Sequence, residues 1–233
     1  MKNDKLSIII PAYNEEGTIL EILKRIRDID LDLEKEIIVV DNGSSDETPR
    51  LLKNVEGIKL ITLSPNRGKG GAIKAGLREA TGDLVIFQDA DLEYNPQDYP
   101  KMIKPILDGK TEIVLGVRIQ PDRDARKRKL SYWLSWFGNE LITQTTNLLF
   151  WNNAGEYEGC YKAFTKHLID TIKVKANGFE YDNELVCKIL KKGHKTIDVP
   201  INYYPRSYEE GKKIKWEDGF RILGTIIKCR FVD

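Results

Sequence analysis

The sequence predicts an α/β fold in which a mostly parallel, Rossmann-like sheet is flanked by helices. Over the first half of the chain, short Ile- and Val-rich segments alternate with segments whose apolar residues recur every three or four positions. Strands that are apolar throughout are typical of a parallel sheet covered on both faces. With 233 residues, of which 41% are hydrophobic, the chain is long enough for one large domain with its own core.

Five strands and four helices follow from this pattern over residues 6–116. The first strand, 6–10, is an apolar run that ends before a proline, and the first helix, 18–29, repeats Ile and Leu at spacings of three and four. The same two patterns then predict strand 36–41, helix 47–54, strand 58–63, helix 69–80, strand 83–88, helix 96–107 and strand 112–116. Further on, a helix begins near residue 179, and an amphipathic helix is predicted over 216–231.

The composition argues against several classes of function. Thirty-seven Lys and Arg residues balance 36 Asp and Glu residues, so no affinity for nucleic acid is expected. The three cysteines are far apart and form no CxxC pair, which favours a reducing, cytoplasmic location over a disulfide framework or a zinc site. The first apolar run ends after five residues, and no run reaches ~18 apolar residues, so we expect neither a signal peptide nor a membrane span.

Two carboxylates, Asp89 and Asp91, directly follow the predicted strand 83–88. Side chains two positions apart on an extended segment point to the same side, and two close like charges are unfavourable unless a cation lies between them. Mn²⁺ and Mg²⁺ are commonly held by one or two carboxylates together with substrate phosphates. The pair therefore predicts a site for Mn²⁺ or Mg²⁺ and a phosphate-containing substrate, with a solvated turn as the structural alternative.

Polar loops also follow the three preceding strands, at residues 11–15, 41–46 and 66–71. Ligands of parallel sheets bind beyond the carboxyl ends of the strands, so we expect these loops to form one site. In purely structural terms, 41–46 could cap a helix and the glycines of 66–71 could allow close helix packing. Neither GxxxxGK[ST] nor GxGxxG is present, which argues against a P-loop NTPase and a dinucleotide-binding Rossmann enzyme.

Taken together, these loops resemble those of the inverting family 2 glycosyltransferases with the GT-A fold. The resemblance rests on Pro11-Ala12-Tyr13-Asn14-Glu15, Asp41-x-Gly43-Ser44-Ser45-Asp46, Asn66-x-Gly68-x-Gly70 and Asp89-Ala90-Asp91-Leu92. Within the family, the chain looks most like the dolichyl/polyprenyl-phosphate mannosyltransferase group, over about residues 6–231. Two positions depart from the common pattern: Asn42 replaces a second Asp, and Glu93 stands where Gln is common.

The resemblance implies a single GT-A domain over 1–233, with a nucleotide-sugar-binding half, 1–117, and an acceptor-side half, 118–233, that carries the C-terminal helices. The implied metal ligands are Asp89, Asp91 and Glu93. The implied contacts to the nucleotide sugar are Pro11, Tyr13, Glu15, Asp41, Asn66, Lys69, Gly70, Asp89, Ala90, Asp91, Arg206 and Lys212. The implied reaction moves a hexose to a polyprenyl or dolichyl phosphate. GDP-mannose is the favoured donor, followed by a UDP-linked glucose or N-acetylglucosamine.

The chemistry of such a transfer is consistent with these roles. A cation held by Asp89 and Asp91 would stabilise the charge on the leaving nucleoside diphosphate. A lipid phosphate is already ionised and needs cationic side chains to orient it rather than a base. Arg118, in Gly116-Val117-Arg118, matches the Gly-Ser-Arg of the lipid-phosphate group, and Arg128 matches its second arginine. We predict Asp91, Arg118 and Arg128 as catalytic residues; the alternative makes 123–129 a solvated basic loop.

A stretch from Leu130 to Trp151 holds three of the four tryptophans and follows a cationic segment. Aromatic residues beside cations are typical of the membrane interface, while a buried core helix is the competing interpretation. The transmembrane extensions of the family have no counterpart in this sequence. Any membrane contact is therefore expected to be peripheral, on the cytoplasmic face, or made through a partner.

Other functions stay open at this stage. A transferase of the same fold that acts on a saccharide hydroxyl would need a base, for which Glu158 and Glu184 are candidates. A nucleotidyltransferase would consume an NTP and release pyrophosphate, although its usual Gly-rich basic loop is missing. A non-catalytic binding subunit is a third alternative, against which the intact Asp89 and Asp91 argue.

Overall fold

Seven strands form one sheet in the computed structural model, which describes residues 5–119, 130–206 and 216–232. They are β1 (Lys5–Ala12), β2 (Glu34–Asp41), β3 (Lys59–Thr62), β4 (Leu84–Phe87), β5 (Ile113–Ile119), β6 (Lys162–Thr165) and β7 (Ile197–Asn202). Their order is β3-β2-β1-β4-β6-β5-β7, and β6 runs antiparallel to both of its neighbours while the other pairs are parallel. The other six strands therefore end at the edge of the sheet where β6 begins.

Helices pack around the sheet and against one another. In the described part of the chain they are α1 (Ile19–Arg27), α2 (Thr48–Lys53), α3 (Gly68–Glu79), α4 (Tyr99–Leu107), α5 (Leu130–Phe150), α6 (Lys166–Asp170), α7 (Tyr181–Lys191) and α8 (Trp216–Phe231), with a 3₁₀ turn at Pro96–Asp98. In α1, Ile19, Ile22, Leu23 and Ile26 are buried. This arrangement is expected for apolar residues at spacings of three and four. Both α5 and α7 pack against α8.

The α/β class and the mostly parallel sheet are confirmed, and each element predicted over 6–116 is present within a few residues. β5 extends to Ile119, beyond the predicted end at 116, so Arg118 lies within the strand. The sequence pattern did not predict β6 or β7. β6 has only four residues and starts with a lysine, whereas β7 contains Pro200, which a strand at the edge of a sheet tolerates. Among the described residues, no helix is long and apolar enough to span a bilayer.

α3 approaches the sheet closely at Gly76. A Cβ atom at this position would lie 2.6 Å from Cγ2 of Ile9, a fully buried residue of β1. Gly224, inside α8, has the opposite environment, because an added Cβ would have nothing within 4 Å. A methyl group added to a helical glycine would therefore clash at position 76 and would meet no atom at position 224.

Gly76→Ala should lower the free energy of unfolding, measured by urea denaturation. Overpacking of a core costs about 1–3 kcal/mol, and the gain in helix propensity is at most about 1 kcal/mol. Gly224→Ala is the matched control and should raise the stability by up to about 1 kcal/mol. Equal effects of the two substitutions would contradict the close approach of α3 to β1.

Candidate active site

The loops after β1 and β2 interlock at the carboxyl edge of the sheet. Asn14 has a φ of 52° and accepts a hydrogen bond from the backbone N–H of Ser45 at 2.8 Å. Asp41 is buried and accepts one from the N–H of Ser44 at 3.1 Å. The latter bond closes a turn within the loop and caps no helix; at the start of α2 it is Asp46 that accepts from the N–H of Thr48, at 3.0 Å. Tyr13 is 38% exposed beside these contacts. The structure places the two predicted donor loops together, and their contacts to a nucleotide stay a prediction.

Asn42, which departs from the family pattern, ties the loop after β2 to the loop after β3. Its side-chain oxygen accepts from the N–H of Arg67 at 2.9 Å, and its amide nitrogen lies 3.1 Å from both Asn66 Oδ1 and the Gly68 carbonyl. Because an ionised aspartate has no donor, it could not form the last two bonds. These hydrogen bonds explain in structural terms why an asparagine, and not an aspartate, stands at position 42.

Gly70 packs against α7 rather than lining an open pocket. Its N–H lies 3.3 Å from the carbonyl of Gly178, and a Cβ atom would lie 2.5 Å from Cβ of Tyr181. The helix-packing alternative therefore describes its position, while its contact to a nucleotide sugar stays a prediction.

Lys69 supplies a positive charge beside Asp89. Its ammonium lies 2.8 Å from Asp89 Oδ1 and 3.7 Å from Asp182 Oδ2 of α7. Burial alone would raise the pKa of Asp89, but the lysine outweighs it and lowers that pKa. Asp89 is thus ionised, and the ammonium group of Lys69 is shared between Asp89 and Asp182.

The Asp91 carboxyl is surrounded by excess negative charge. Burial first, and then the nearby Asp89 and Glu93 carboxylates, raise its pKa to about 7, although Arg206 opposes the shift. A divalent cation would supply the positive charge that this group lacks. In the part of the chain that the structure describes, no three His, Cys, Asp or Glu side chains converge as a metal site. A metal on Asp89 and Asp91 would therefore need further ligands from substrate oxygens.

Arg206 joins the ends of β1, β4 and β7. One guanidinium nitrogen, Nη2, lies 3.0 Å from Asp91 Oδ2 and 3.3 Å from Glu15 Oε1, while Nη1 lies 3.2 Å from Glu15 Oε2. Its Nε is buried without a hydrogen-bond acceptor among the described residues. Lys212, the other cation predicted for this loop, lies outside the described residues.

Glu93 fastens the segment that carries Arg206. Its two carboxylate oxygens accept from the hydroxyl of Tyr203 at 2.8 Å and from the backbone N–H of Arg206 at 2.7 Å. Its own N–H donates to Asp91 Oδ1 at 3.2 Å. A role for Glu93 as a third metal ligand stays a prediction, and it would require one of these oxygens to change partner.

Arg118, the predicted acceptor-binding residue, is held from two sides. Glu156 accepts from its backbone N–H at 3.0 Å and from its guanidinium Nε at 2.6 Å. The guanidinium carbon lies 4.7 Å above the ring centre of Tyr203, a cation–π contact. Arg128 lies outside the described residues, so its predicted partnership with Arg118 stays a prediction.

The two candidate bases have different surroundings. Glu184 accepts from the N–H groups of Lys175 (2.9 Å) and Ala176 (2.8 Å) and from the ammonium of Lys188 (2.6 Å). Burial would raise its pKa, but these donors together lower it. Glu158 accepts one bond of 2.6 Å from Asn183, and burial raises its pKa. Glu184 therefore stabilises a loop, and Glu158, with one donor and a raised pKa, is the stronger candidate of the two for proton transfer.

Three residues near the site were not singled out from the sequence: Lys162, Asp182 and Tyr203. Lys162 is 1% exposed at the start of β6, and its ammonium lies 3.9 Å from Asp182 Oδ1. That oxygen is buried without a hydrogen-bond partner among the described residues. For Lys162, a charge within an apolar segment was the available signal, whereas Asp182 stands among other polar residues and had none. Tyr203 had no signal, because its importance comes from contacts between distant segments.

The family model of glycosyl transferase family 2 matches residues 7–172 of the chain. Among curated proteins, the undecaprenyl-phosphate 4-deoxy-4-formamido-L-arabinose transferase of Proteus mirabilis is 31% identical over 228 residues, which are 91% of this chain and 63% of the relative. The chain thus spans somewhat less than two thirds of that relative. An uncharacterised protein of Methanocaldococcus jannaschii is 29% identical, with 97% of this chain and 93% of the relative covered.

Solved structures of glucosyl-3-phosphoglycerate synthase from Mycobacterium tuberculosis share the fold. The complex of that enzyme with Mn²⁺, UDP and glucosyl-3-phosphoglycerate has a TM-score of 0.73 and 20% identity, and the similarity covers 99% of this chain and 81% of the other. A second structure, with phosphoglyceric acid, has a TM-score of 0.75 at 20% identity, with 99% and 81% covered. At this level of identity the likeness supports the fold alone.

Glu184→Gln should lower the free energy of unfolding by about 1–3 kcal/mol at pH 7, because hydrogen bonds to a charged group are lost. The folded-state pKa of Glu184 lies below its ordinary value of 4.5, so its stabilisation is present above that pH and is lost as the pH falls through the folded-state pKa. The difference between wild type and variant should therefore shrink in acid.

The measurement is urea denaturation at several pH values. Glu56→Gln, at an exposed position, is the control and should change stability little at any pH. A Glu184→Gln effect that is independent of pH would contradict the charge-based account.

Proposed function

The chain belongs to glycosyl transferase family 2, and on that premise we propose that it moves a sugar from a nucleotide sugar to a polyprenyl phosphate. The observation that carries the proposal is the partly buried pair of carboxyl groups, Asp89 and Asp91, at the carboxyl edge of the sheet. The raised pKa of Asp91 marks a place that lacks positive charge, as expected where a cation and a diphosphate are to bind. A bound divalent cation would stabilise the leaving diphosphate.

The side chains around this pair have separate roles in the proposal. Asp89 and Asp91 hold the cation, with Glu93 as the proposed third ligand. Lys69 and Arg206, now paired with those carboxylates, would neutralise part of the diphosphate charge. The base and ribose would be oriented by Glu15, Tyr13 and Asp41. Further contacts to the nucleotide sugar are proposed for Pro11, Asn66, Gly70, Ala90 and Lys212.

The identity of the donor is a finer part of the proposal. GDP-mannose is the donor that the resemblance to mannosyltransferases favours. A UDP sugar is the alternative, supported by the UDP and Mn²⁺ in the similar synthase structure. Both donors present a nucleoside diphosphate as the leaving group, so the roles of Asp89 and Asp91 are the same for either.

A lipid phosphate is the proposed acceptor. Several of the curated relatives, among them that of Proteus mirabilis, are transferases whose names specify undecaprenyl phosphate. Arg118 offers a guanidinium at the carboxyl edge, and Arg128 is proposed as its partner. Since the acceptor oxygen is already ionised, no base is required. A saccharide hydroxyl is the second candidate acceptor, and the observation that favours it is the raised pKa of Glu158.

We also propose that two helices rest on the surface of a membrane. On α5 the large apolar residues Trp136, Phe137, Leu141 and Leu148 are 46–76% exposed, opposite the buried Ile142 and Phe150, and Trp151, directly after the helix, is 81% exposed. On α8, Phe220, Ile227 and Phe231 are 50–71% exposed. The guanidinium of Arg230 lies 4.5 Å from the ring centre of Trp151, which joins the two exposed stripes. Apolar stripes that carry aromatic residues and neighbouring cations suit an interfacial location.

Asp91→Asn should abolish stabilisation by a nucleoside diphosphate that depends on Mn²⁺. We expect GDP or UDP with Mn²⁺, at ~100 times the dissociation constant, to stabilise the wild type by about 2.7 kcal/mol, and the variant to lose this gain. Thermal unfolding with GDP, UDP, CMP and ATP, each with and without Mn²⁺, measures the effect and distinguishes the donors. Transfer to a prenyl phosphate should be lost in parallel.

Asp108→Asn, in an exposed ion pair after α4, is the control and should behave as wild type. Stabilisation by ATP alone would favour a nucleotidyltransferase. Stabilisation by the nucleotide without any turnover, on either a prenyl phosphate or a saccharide, would favour a binding subunit.

Leu148→Ser combined with Phe231→Ser should weaken binding to vesicles of phosphatidylcholine and phosphatidylglycerol by tenfold or more. Each buried side chain of this size contributes about 1.5–3 kcal/mol, and both residues are more than 70% exposed in the protein. Co-sedimentation with the vesicles measures the effect. Leu107→Ser, at an exposed position of α4, is the control, and equal binding of both variants would contradict the proposed surface.

A further inference from the structure

Tyr203 stands between the donor and acceptor sides of the site. It follows β7 directly, is 6% exposed, and its backbone N–H lies 3.3 Å from the carbonyl of Ile119 at the end of β5. Its hydroxyl donates to Glu93 Oε2 at 2.8 Å, and its ring lies under the Arg118 guanidinium at 4.7 Å. The hydroxyl of Tyr203 therefore contacts the proposed donor site, at Glu93, and its ring contacts the proposed acceptor site, at Arg118.

On the donor side, the hydroxyl reaches Asp91 through one residue. Glu93 donates its N–H to Asp91 Oδ1 and holds the N–H of Arg206 with its other carboxylate oxygen. The carbonyl of Glu93 also accepts from the N–H of Tyr204 at 2.9 Å. A displacement of Asp91 would thus reach the bond to Tyr203 through Glu93.

On the acceptor side, the ring completes the support of Arg118. Glu156 takes the guanidinium edge and the backbone N–H, which leaves the flat face of the guanidinium against the ring. Tyr94 packs against the same ring, with centroids 5.2 Å apart, and limits its movement. The orientation of Arg118 consequently depends on where the ring lies.

We propose that Tyr203 is a positioning residue that couples occupation of the donor site to the affinity for the acceptor phosphate. When a nucleoside diphosphate and its cation bind at Asp91, the carboxyl group of Asp91 shifts, and the Glu93–Tyr203 hydrogen bond transmits this shift to the tyrosine ring. The position of the ring in turn orients the guanidinium of Arg118 toward the acceptor phosphate. The inference rests on the proposed function and deepens it, because it assigns the residue through which the donor and the acceptor raise the affinity for one another.

The test compares the dissociation constant of farnesyl phosphate in the absence of nucleotide with that in saturating UDP and Mn²⁺, with GDP replacing UDP if the nucleotide panel selects it. Coupling between two binding sites is typically about 5–150-fold. We expect at least about a fivefold tightening in the wild type, and a ratio near one in Tyr203→Phe, which keeps the ring and loses the hydroxyl.

Tyr203→Leu separates the two ends of the side chain. It should also weaken the binding of farnesyl phosphate without nucleotide, since the ring under Arg118 is gone, whereas Tyr203→Phe should restore that binding and leave the ratio near one. Tyr99→Phe is the matched control: it removes another buried hydroxyl, which lies 2.8 Å from Gln88, and should keep the wild-type ratio. A merely structural tyrosine would shift the stability of the variants and leave the ratio unchanged.

The outcomes are distinct. A wild-type ratio that persists in Tyr203→Phe overturns the inference, as does a ratio of one in a wild-type protein that transfers sugar to farnesyl phosphate, and in both cases the proposed function stands. A wild-type protein that binds UDP or GDP with Mn²⁺ but neither binds nor glycosylates farnesyl phosphate overturns the inference together with the proposed acceptor.

Discussion

The ion-pair junction at Arg206 holds the candidate site together. Its guanidinium contacts Glu15 after β1 and Asp91 after β4, and its backbone is fixed by Glu93. Three carboxylates this close would repel one another without a cation among them. The pairing stabilises the protein without substrate, yet it leaves Asp91 short of positive charge. An incoming metal and diphosphate would bring both the charge that Asp91 lacks and new partners for Arg206.

The direction of β6 brings the segment with Glu156 and Glu158 to the same edge as the loops after β1, β2 and β4. Because β6 runs antiparallel to its neighbours, the segment that leads into it, with Glu156 and Glu158, lies where the parallel strands end. Lys162 begins the strand at that edge, almost fully buried. A parallel strand in this place would have carried the segment to the far side of the sheet. One reversed strand thus lets distant parts of the chain face the donor loops.

α5 shows why a segment rich in apolar residues can be interpreted either as a core helix or as an interfacial helix. The sequence left a core helix and an interfacial helix open for 130–151, and the structure displays features of both. Ile142 and Phe150 are buried in the core, while Leu148 and Trp151 are 76% and 81% exposed. A helix that is apolar on two sides needs a second apolar environment, and the matching stripe on α8 enlarges the surface that would meet it.

The sequence by itself determined the α/β class, the alternating elements up to residue 116, and the loops that carry the candidate site. These features are local, since they follow from the periodicity of apolar residues and from the rule that strand ends face the ligand. Only the tertiary structure decided which charges are paired. Arg206 and Asp91 are 115 positions apart, and Tyr203 and Glu93 are 110 apart, so their contacts depend on how the strands are ordered. Glu184 is a local counterpart: its three donors lie only four to nine positions away, and the folded conformation of the loop before α7 turns this candidate base into a support for that loop.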